Sequence, residues 1–422
     1  MNGRRTVKYS IVTFGCRVNQ ADSLHIEEGL RRRGGVPSSS ADADLVVVNT
    51  CSVTATADQG ARQTIRRIAR DNPAARVIVT GCYASRRPDE VAALPNVVRV
   101  VGNDDKHRLL DLVATTAARY ADGEGSCGAA IAPGVAGRTA FTLRVQTGCD
   151  QTCSYCIIPS TRGAGRSVPI RDVVREVERV VASGFKEIAL TGVHLGSYGR
   201  DLAEAASLVA LLETLASLPG DVTFRISSLE PMDCTRDIVD VVASSGGRFA
   251  PHFHLPLQHA SDRMLRLMHR PYTAADYRDL VATIAEMLPH ASIGSDMIVG
   301  FPEESDADFA ANLDYLPGSP LSHLHVFPYS DRPGTAAAAM TGKVPGAIVR
   351  DRAARLRSIG NDLAERFRAS QIGAVRPALT LDDGTVAVTD NFLKVRIAPG
   401  LARNTRIDVQ IERGLSTIAS VY

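Results

Sequence analysis

The chain has 422 residues, 45% of them hydrophobic and 22% charged, which is ordinary for a soluble globular protein and enough for two or three domains, each with its own core. No apolar run reaches membrane-spanning length, Met1 to Arg5 carries no signal-like apolar stretch, and eight cysteines in so long a chain do not form a disulfide framework. A reduced, cytoplasmic protein is expected, and a net charge of +2 leaves any nucleic-acid affinity to local clusters of basic residues.

In chain order, Tyr9–Phe14, Leu45–Thr50 and Ala75–Gly81 are short apolar stretches, and Cys16, Cys51 and Cys82 follow them. Helical patterning over Ser23–Arg33 and Ala57–Arg70 separates them, so residues 5–120 read as a β-α-β-α-β domain with a parallel sheet. Right-handed crossovers place all three cysteine-bearing strand ends on one edge of that sheet, where open α/β sheets bind ligands. Topology thus gathers three thiols distant in sequence. The competing reading is three small core residues. Residues 121–138 are rich in Gly and Ala and read as a linker. Cys127 and Cys234 share no such pattern and read as ordinary, unligated residues.

Cys149, Cys153 and Cys156 stand at C-x3-C-x2-C spacing in one loop. Iron–sulfur cubes normally take four cysteines, so a three-cysteine loop leaves one iron for another ligand. A zinc knuckle would require a second cysteine pair at a distance, and none follows. With Tyr155 just before the last cysteine, the loop resembles the signature of radical S-adenosylmethionine (SAM) enzymes. Residues 139–371 then alternate strands with helices. The predicted strands are Thr142–Gln146, Glu187–Thr191, Thr223–Ser227, His252–Leu257, Ile293–Val299 and His323–Pro328. Six β/α repeats make a partial (β/α)6 barrel with its functional residues at the strand C-terminal ends. An Arg-rich helix over Val349–Gln371 leads out, and residues 372–422 read as a small all-β barrel.

Several motifs recur in a fixed order. Phe14-Gly-Cys-Arg-Val-Asn-Gln20, Asn49-Thr-Cys-Ser-Val-Thr54 and Gly81-Cys-Tyr-Ala84 lie in the first domain. Cys156-Ile-Ile-Pro159 with Arg162-Gly163, Arg225-Ile-Ser-Ser-Leu-Glu-Pro231, His254-Leu-Pro-Leu-Gln258, Asp296-Met-Ile-Val-Gly-Phe-Pro-Glu303 and His325-Val-Phe-Pro-Tyr-Ser330 lie in the second. Together they resemble the radical SAM methylthiotransferases over essentially the whole chain. The resemblance implies an N-terminal methylthiotransferase domain, a radical SAM core and a C-terminal TRAM-like domain. It implies two 4Fe–4S clusters, one on Cys16, Cys51 and Cys82 and one on Cys149, Cys153 and Cys156. It further implies SAM held by Tyr155, Thr191, Gly192, Ser227, Glu230, Gln258 and Gly300. One SAM then donates a methyl group toward sulfur at the first cluster, and a second yields the 5′-deoxyadenosyl radical that removes hydrogen from an unactivated carbon. The cofactors carry that chemistry and the protein supplies placement. The implied partners are a tRNA substrate, a reducing electron donor and a sulfur source, with no membrane.

Three substrate subgroups compete within the family: threonylcarbamoyladenosine in tRNA, isopentenyladenosine in tRNA, and a ribosomal-protein aspartate. Gly15-Cys-Arg-Val-Asn19 and Phe327-Pro-Tyr-Ser-Asp-Arg-Pro-Gly-Thr335 resemble the threonylcarbamoyl type. The chain departs from the family at Arg17, where Lys is commoner, and at Thr147 and Ser160; none of these is a cysteine. An arginine is expected to hold the threonylcarbamoyl carboxylate, with Arg17 and Arg225 as candidates. Arg62, Arg66, Arg67 and Arg70, and Arg350, Arg352, Arg355 and Arg357, form helical clusters that read as phosphate contacts or as solvated faces. His194, His252, His254 and His259 read as polar pocket walls. The competing class is a non-catalytic RNA-binding protein with structural clusters, which would release no 5′-deoxyadenosine.

Overall fold

A computed structural model describes residues 7–116, 132–134 and 138–422. Cys127 and most of the predicted linker lie outside these residues. The first sheet runs in the order β2-β1-β3-β4-β5 and its strands are parallel. Its members are β1 (Lys8–Thr13), β2 (Val36–Pro37), β3 (Leu45–Thr50), β4 (Arg76–Gly81) and β5 (Val97–Val101). Central β3 is buried at every position, as its unbroken apolar run requires when helices cover both faces. Helices α1 (Arg17–Arg32), α2 (Ala55–Asp71) and α3 (Cys82–Arg86) begin beside the three cysteine positions. Thr54 caps α2 by accepting from the Ala57 amide.

Helix α1 starts at Arg17 rather than at Ser23, where amphipathic patterning begins. Its first turns carry Asn19 and Asp22, polar residues that are nonetheless buried and so hide the helical period. Edge strands β2 and β5 have no counterpart among the predicted elements.

The second body is a partial barrel. Strands β6 (Phe141–Arg144), β9 (Glu187–Thr191) and β10 (Thr223–Ile226) form one parallel sheet, and β11 (His252–His254), β12 (Ser292–Val299) and β13 (His323–Pro328) form another. A parallel bridge from Phe224 to Phe249 joins the two halves. A small hairpin of β7 (Gln146–Thr147) and β8 (Arg166–Ser167) flanks the cysteine loop. Strand β11 stops at His254 instead of Leu257. Beyond it the Leu257 amide turns to Ser295 Oγ at 3.0 Å and Gln258 takes a positive φ of 69°. The barrel core joins the inner strand residues to Leu, Val and Ile of the surrounding helices, and Cys234 lies in it as an ordinary buried thiol.

The helix Gly346–Gln371 packs on β13 and leads to five antiparallel strands in the order β16-β15-β14-β17-β18. These are β14 (Val375–Leu381), β15 (Val386–Thr389), β16 (Lys394–Arg396), β17 (Arg406–Gln410) and β18 (Thr417–Val421). A bridge between Arg396 and Leu415 curls the outer edges toward each other. Arg352 corrects the reading of its cluster as a solvated or phosphate-binding face. It is 4% exposed, and its guanidinium donates to Glu304 Oε2 at 2.9 Å and Asp306 Oδ1 at 2.7 Å, fastening the helix to the barrel. Among the described residues no helix is long and apolar enough to cross a membrane.

Candidate functional site

Cys16 is the N-cap of α1, Cys51 follows β3 and Cys82 opens α3, so adjacent strand ends bring the three together. Two glycines permit this approach. Gly15 has φ +88°, and a Cβ there would stand 2.6 Å from Cys51 Sγ. Gly81 has φ +98°, and a Cβ there would collide with the Thr50 carbonyl. Asn19 ties the loops by donating to Phe14 O at 2.8 Å and Thr50 O at 2.9 Å. Burial first, and then the neighbouring Cys82 and Cys16 sulfurs, push the Cys51 thiol up to about 11.

The second set is built similarly. Ser154, inside the loop, donates to Leu267 O at 2.7 Å, and its carbonyl accepts from Ala337 N at 2.8 Å. Burial, then Cys153, Cys149 and Glu230, push the Cys156 thiol up to about 12. Arg270 Nη1 donates to Cys153 Sγ at 3.2 Å and the same guanidinium pairs with Glu230. His194 lies beside Cys149, with Nε2 2.6 Å from Asp233 Oδ2; burial works against its protonation, but these partners raise it to about 9. Each set gathers three thiols, and thiolate is the form in which cysteine ligates iron. Sequence reasoning missed Arg270. It occupies no recognisable spacing, and only the fold brings it to Cys153.

The residues expected around SAM are distributed as follows. Tyr155 and Glu230 adjoin the cysteine loop, and the Tyr155 ring stands edge-on to Phe301 at 6.5 Å. Thr191 and Ser227 are neighbours at the ends of β9 and β10, where the Ser227 amide donates to Leu190 O at 3.0 Å. Among the described residues Ser227 Oγ is buried without a partner, which suits a polar ligand. Gly192 closes on the Gln146 side chain, 2.9 Å from its Oε1 to a Cβ placed there. The Gln258 amide donates to Asp296 O at 2.8 Å. At Gly300, next to Phe301, Val349 of the long helix packs where a side chain would be.

Inward positions of the barrel strands form a polar wall. Arg225 of β10 makes two 3.1 Å bonds to Glu187 of β9 and a 2.9 Å bond to Asp390 O of the C-terminal sheet. From the same loop Phe392 places its ring 4.6 Å from His252, 4.9 Å from the Arg225 guanidinium and 5.9 Å from that of Arg17. Further along, Asp296 Oδ1 lies 3.0 Å from His254 Nε2 and 3.1 Å from His325 Nδ1. His259 belongs elsewhere, fully buried with Glu304 at 3.2 Å and Asn312 at 3.1 Å.

Two buried carboxylates fasten the first sheet to the barrel. Asp22 of α1 receives Lys106 at 2.8 Å, Arg162 at 3.2 Å and Arg144 of β6. Asp58 of α2 receives Arg86 and, at 2.8 Å, Arg332 from beyond β13, which also donates to Val53 O at 3.2 Å. Arg162 closes the short helix Ile158–Arg162 that follows Cys156, and the nearby Cys82 sulfur favours its charged form. Asn103 spans the same gap from Cys82 Sγ at 3.7 Å to Thr161 O at 2.8 Å. The two cysteine sets therefore flank one short helix.

Residues 8–102 match the uncharacterized protein family UPF0004, and residues 143–316 match the radical SAM superfamily. A threonylcarbamoyladenosine tRNA methylthiotransferase of Aquifex aeolicus is 36% identical over 406 residues, covering 92% of this chain and 96% of that protein. A tRNA-2-methylthio-N(6)-dimethylallyladenosine synthase of Sphingopyxis alaskensis is 34% identical over 420 residues, covering 96% and 94%. In fold the chain is similar to the radical SAM methyltransferase TsrM of Kitasatospora setae, with a TM-score of 0.56 at 15% identity over 79% of this chain and 74% of that one. With this identity along nearly its whole length, and with both domain matches lying within it, the chain belongs to the radical SAM methylthiotransferase family.

Proposed function

We propose that this protein converts N6-threonylcarbamoyladenosine at position 37 of tRNA to its 2-methylthio derivative. It would do so with SAM and two 4Fe–4S clusters, held by Cys16, Cys51 and Cys82 and by Cys149, Cys153 and Cys156. The observation that supports this reading most is the placement of two three-thiol sets on either side of Ile158–Arg162, so that sulfur handled at one set is available to a carbon activated at the other. When bound, the clusters supply reductive SAM cleavage and sulfur handling, which no side chain can perform on an aromatic C–H. The chain's own residues position and shield. Asp22 and Asp58 fix the two thiol sets relative to each other, Arg270 neutralises negative charge at Cys153 and Glu230, and Ser227 offers an unspent hydroxyl. A reducing electron donor and a sulfur source come from outside the chain, and the reaction belongs in the cytoplasm.

Cells lacking the protein are expected to lose only 2-methylthio-N6-threonylcarbamoyladenosine from their tRNA, as read by mass analysis of nucleosides. Loss of the methylthio-isopentenyl nucleoside instead would move the enzyme to the neighbouring subgroup. An unchanged nucleoside profile would point to a ribosomal-protein aspartate or to a non-enzymatic role. A second expectation concerns metal content. Anaerobically reconstituted protein should carry about eight irons per chain, two cubes' worth. A value of about four would remove the N-terminal cluster.

A further inference from the structure

Arg17 is the first residue of α1, directly after Cys16, and is half-buried. Its guanidinium faces the Phe392 ring and shares that neighbourhood with Arg225, Arg138 and Glu187. Arg225 is already engaged at all three of its nitrogens, Nε and Nη2 with the two oxygens of Glu187 and Nη1 with Asp390 O. Glu187 is thereby a bidentate partner already in use. Arg17 has no hydrogen-bond acceptor and no carboxylate at ion-pair distance among the described residues. The surrounding imidazoles add no negative charge, and burial holds His252 and His323 neutral, the latter at about 4. Arg17 is therefore a cation without a paired anion among the described residues.

The loop that forms its far side is set at a conformational cost. Phe392 is 41% exposed and sits at φ +71°, a region unfavourable for a bulky side chain. That backbone turns the ring onto both guanidiniums instead of into the core of its own sheet.

We infer that Arg17 is the residue that binds the threonylcarbamoyl carboxylate, with Phe392 walling the subsite, whereas Arg225 is committed to the fold. The inference rests on the substrate reading above. A planar guanidinium pairs a carboxylate in bidentate fashion, and an isopentenyl group would leave the charge unmatched. An RNA backbone phosphate is the other anion with suitable chemistry, and the test separates the two.

The experiment measures binding of two anticodon stem-loop RNAs to the holoenzyme, one carrying threonylcarbamoyladenosine at the target position and one plain adenosine. Wild type is expected to prefer the modified RNA by about tenfold or more. Arg17→Gln should abolish that preference while still binding the plain RNA, which also shows that the variant is folded. Arg17→Lys should restore part of it. If Arg17→Gln weakens both RNAs equally, the group reads phosphate and the inference falls. If the preference survives in Arg17→Gln, Arg17 is not the reader, although the substrate reading stands. If wild type shows no preference, the substrate reading fails and takes the inference with it.

Discussion

Replacing Cys149, Cys153 and Cys156 together by alanine is expected to abolish 5′-deoxyadenosine release from SAM while the N-terminal set still binds about four irons. Replacing Cys16, Cys51 and Cys82 should leave that release in place and abolish methylthio transfer to RNA. The separation follows from construction. The first set is suspended from the ends of β1, β3 and β4, and the second from a single loop stapled by Ser154 to Leu267 and Ala337. Neither set uses a side chain of the other as a ligand candidate, and their shared element is the helix that ends in Arg162. Anaerobic assays of SAM cleavage and of nucleoside modification on the same preparations provide the check. Methylthiolation by the second triple variant would remove Cys16, Cys51 and Cys82 from the reaction.

Asp22→Ala is expected to destabilise the protein by about 3–5 kcal/mol, since it strands buried cations without their counter-charge. The Asp22 side chain is 1% exposed, and those of Lys106 and Arg162 are 8% and 3% exposed. Burial alone would raise the Asp22 carboxyl, but Lys106, Arg144 and Arg162 outweigh it and hold it down at about 2, against an ordinary value of 3.8. A depressed carboxyl contributes stability that is complete above the unfolded value and is lost as pH falls through the folded one. Wild type should therefore lose this increment as pH drops from 3.8 through about 2, and Asp22→Asn should lack that part of the acid dependence. Chemical denaturation at a series of pH values measures both. Equal acid sensitivity in the two proteins would show that the hub contributes nothing through its charge.

The cysteine framework was legible because its signals are local: C-x3-C-x2-C in one loop, and an apolar strand leading to each of Cys16, Cys51 and Cys82. Parallel topology followed from the alternation of those strands with helices. What stayed hidden was polar and long-range. Asn19 and Asp22 interrupt the helical pattern of α1 for the same reason that they matter, since their partners Thr50 and Arg162 lie far along the chain. Arg270 reads as one more cation until the fold sets it against Cys153 and Glu230. Arg352 and Arg225 looked available for RNA or substrate, yet Glu304, Asp306 and Glu187 already occupy them. A charge in a sequence gives no sign of whether its partner lies within the same chain.

The loop Asp390–Phe392 gives the C-terminal sheet a part in the barrel beyond that of an appended module. Asp390 supplies a carbonyl to Arg225, Asn391 donates to His290 O at 2.9 Å, and Phe392 packs on His252. The tail is thus not an interchangeable handle. A chimera that took this sheet from a relative would also take over one face of the barrel lumen, and Arg225 would meet a foreign loop. Recombination at the Gln371 boundary would therefore couple two traits usually treated as separable, the identity of the tail and the shape of the barrel lumen.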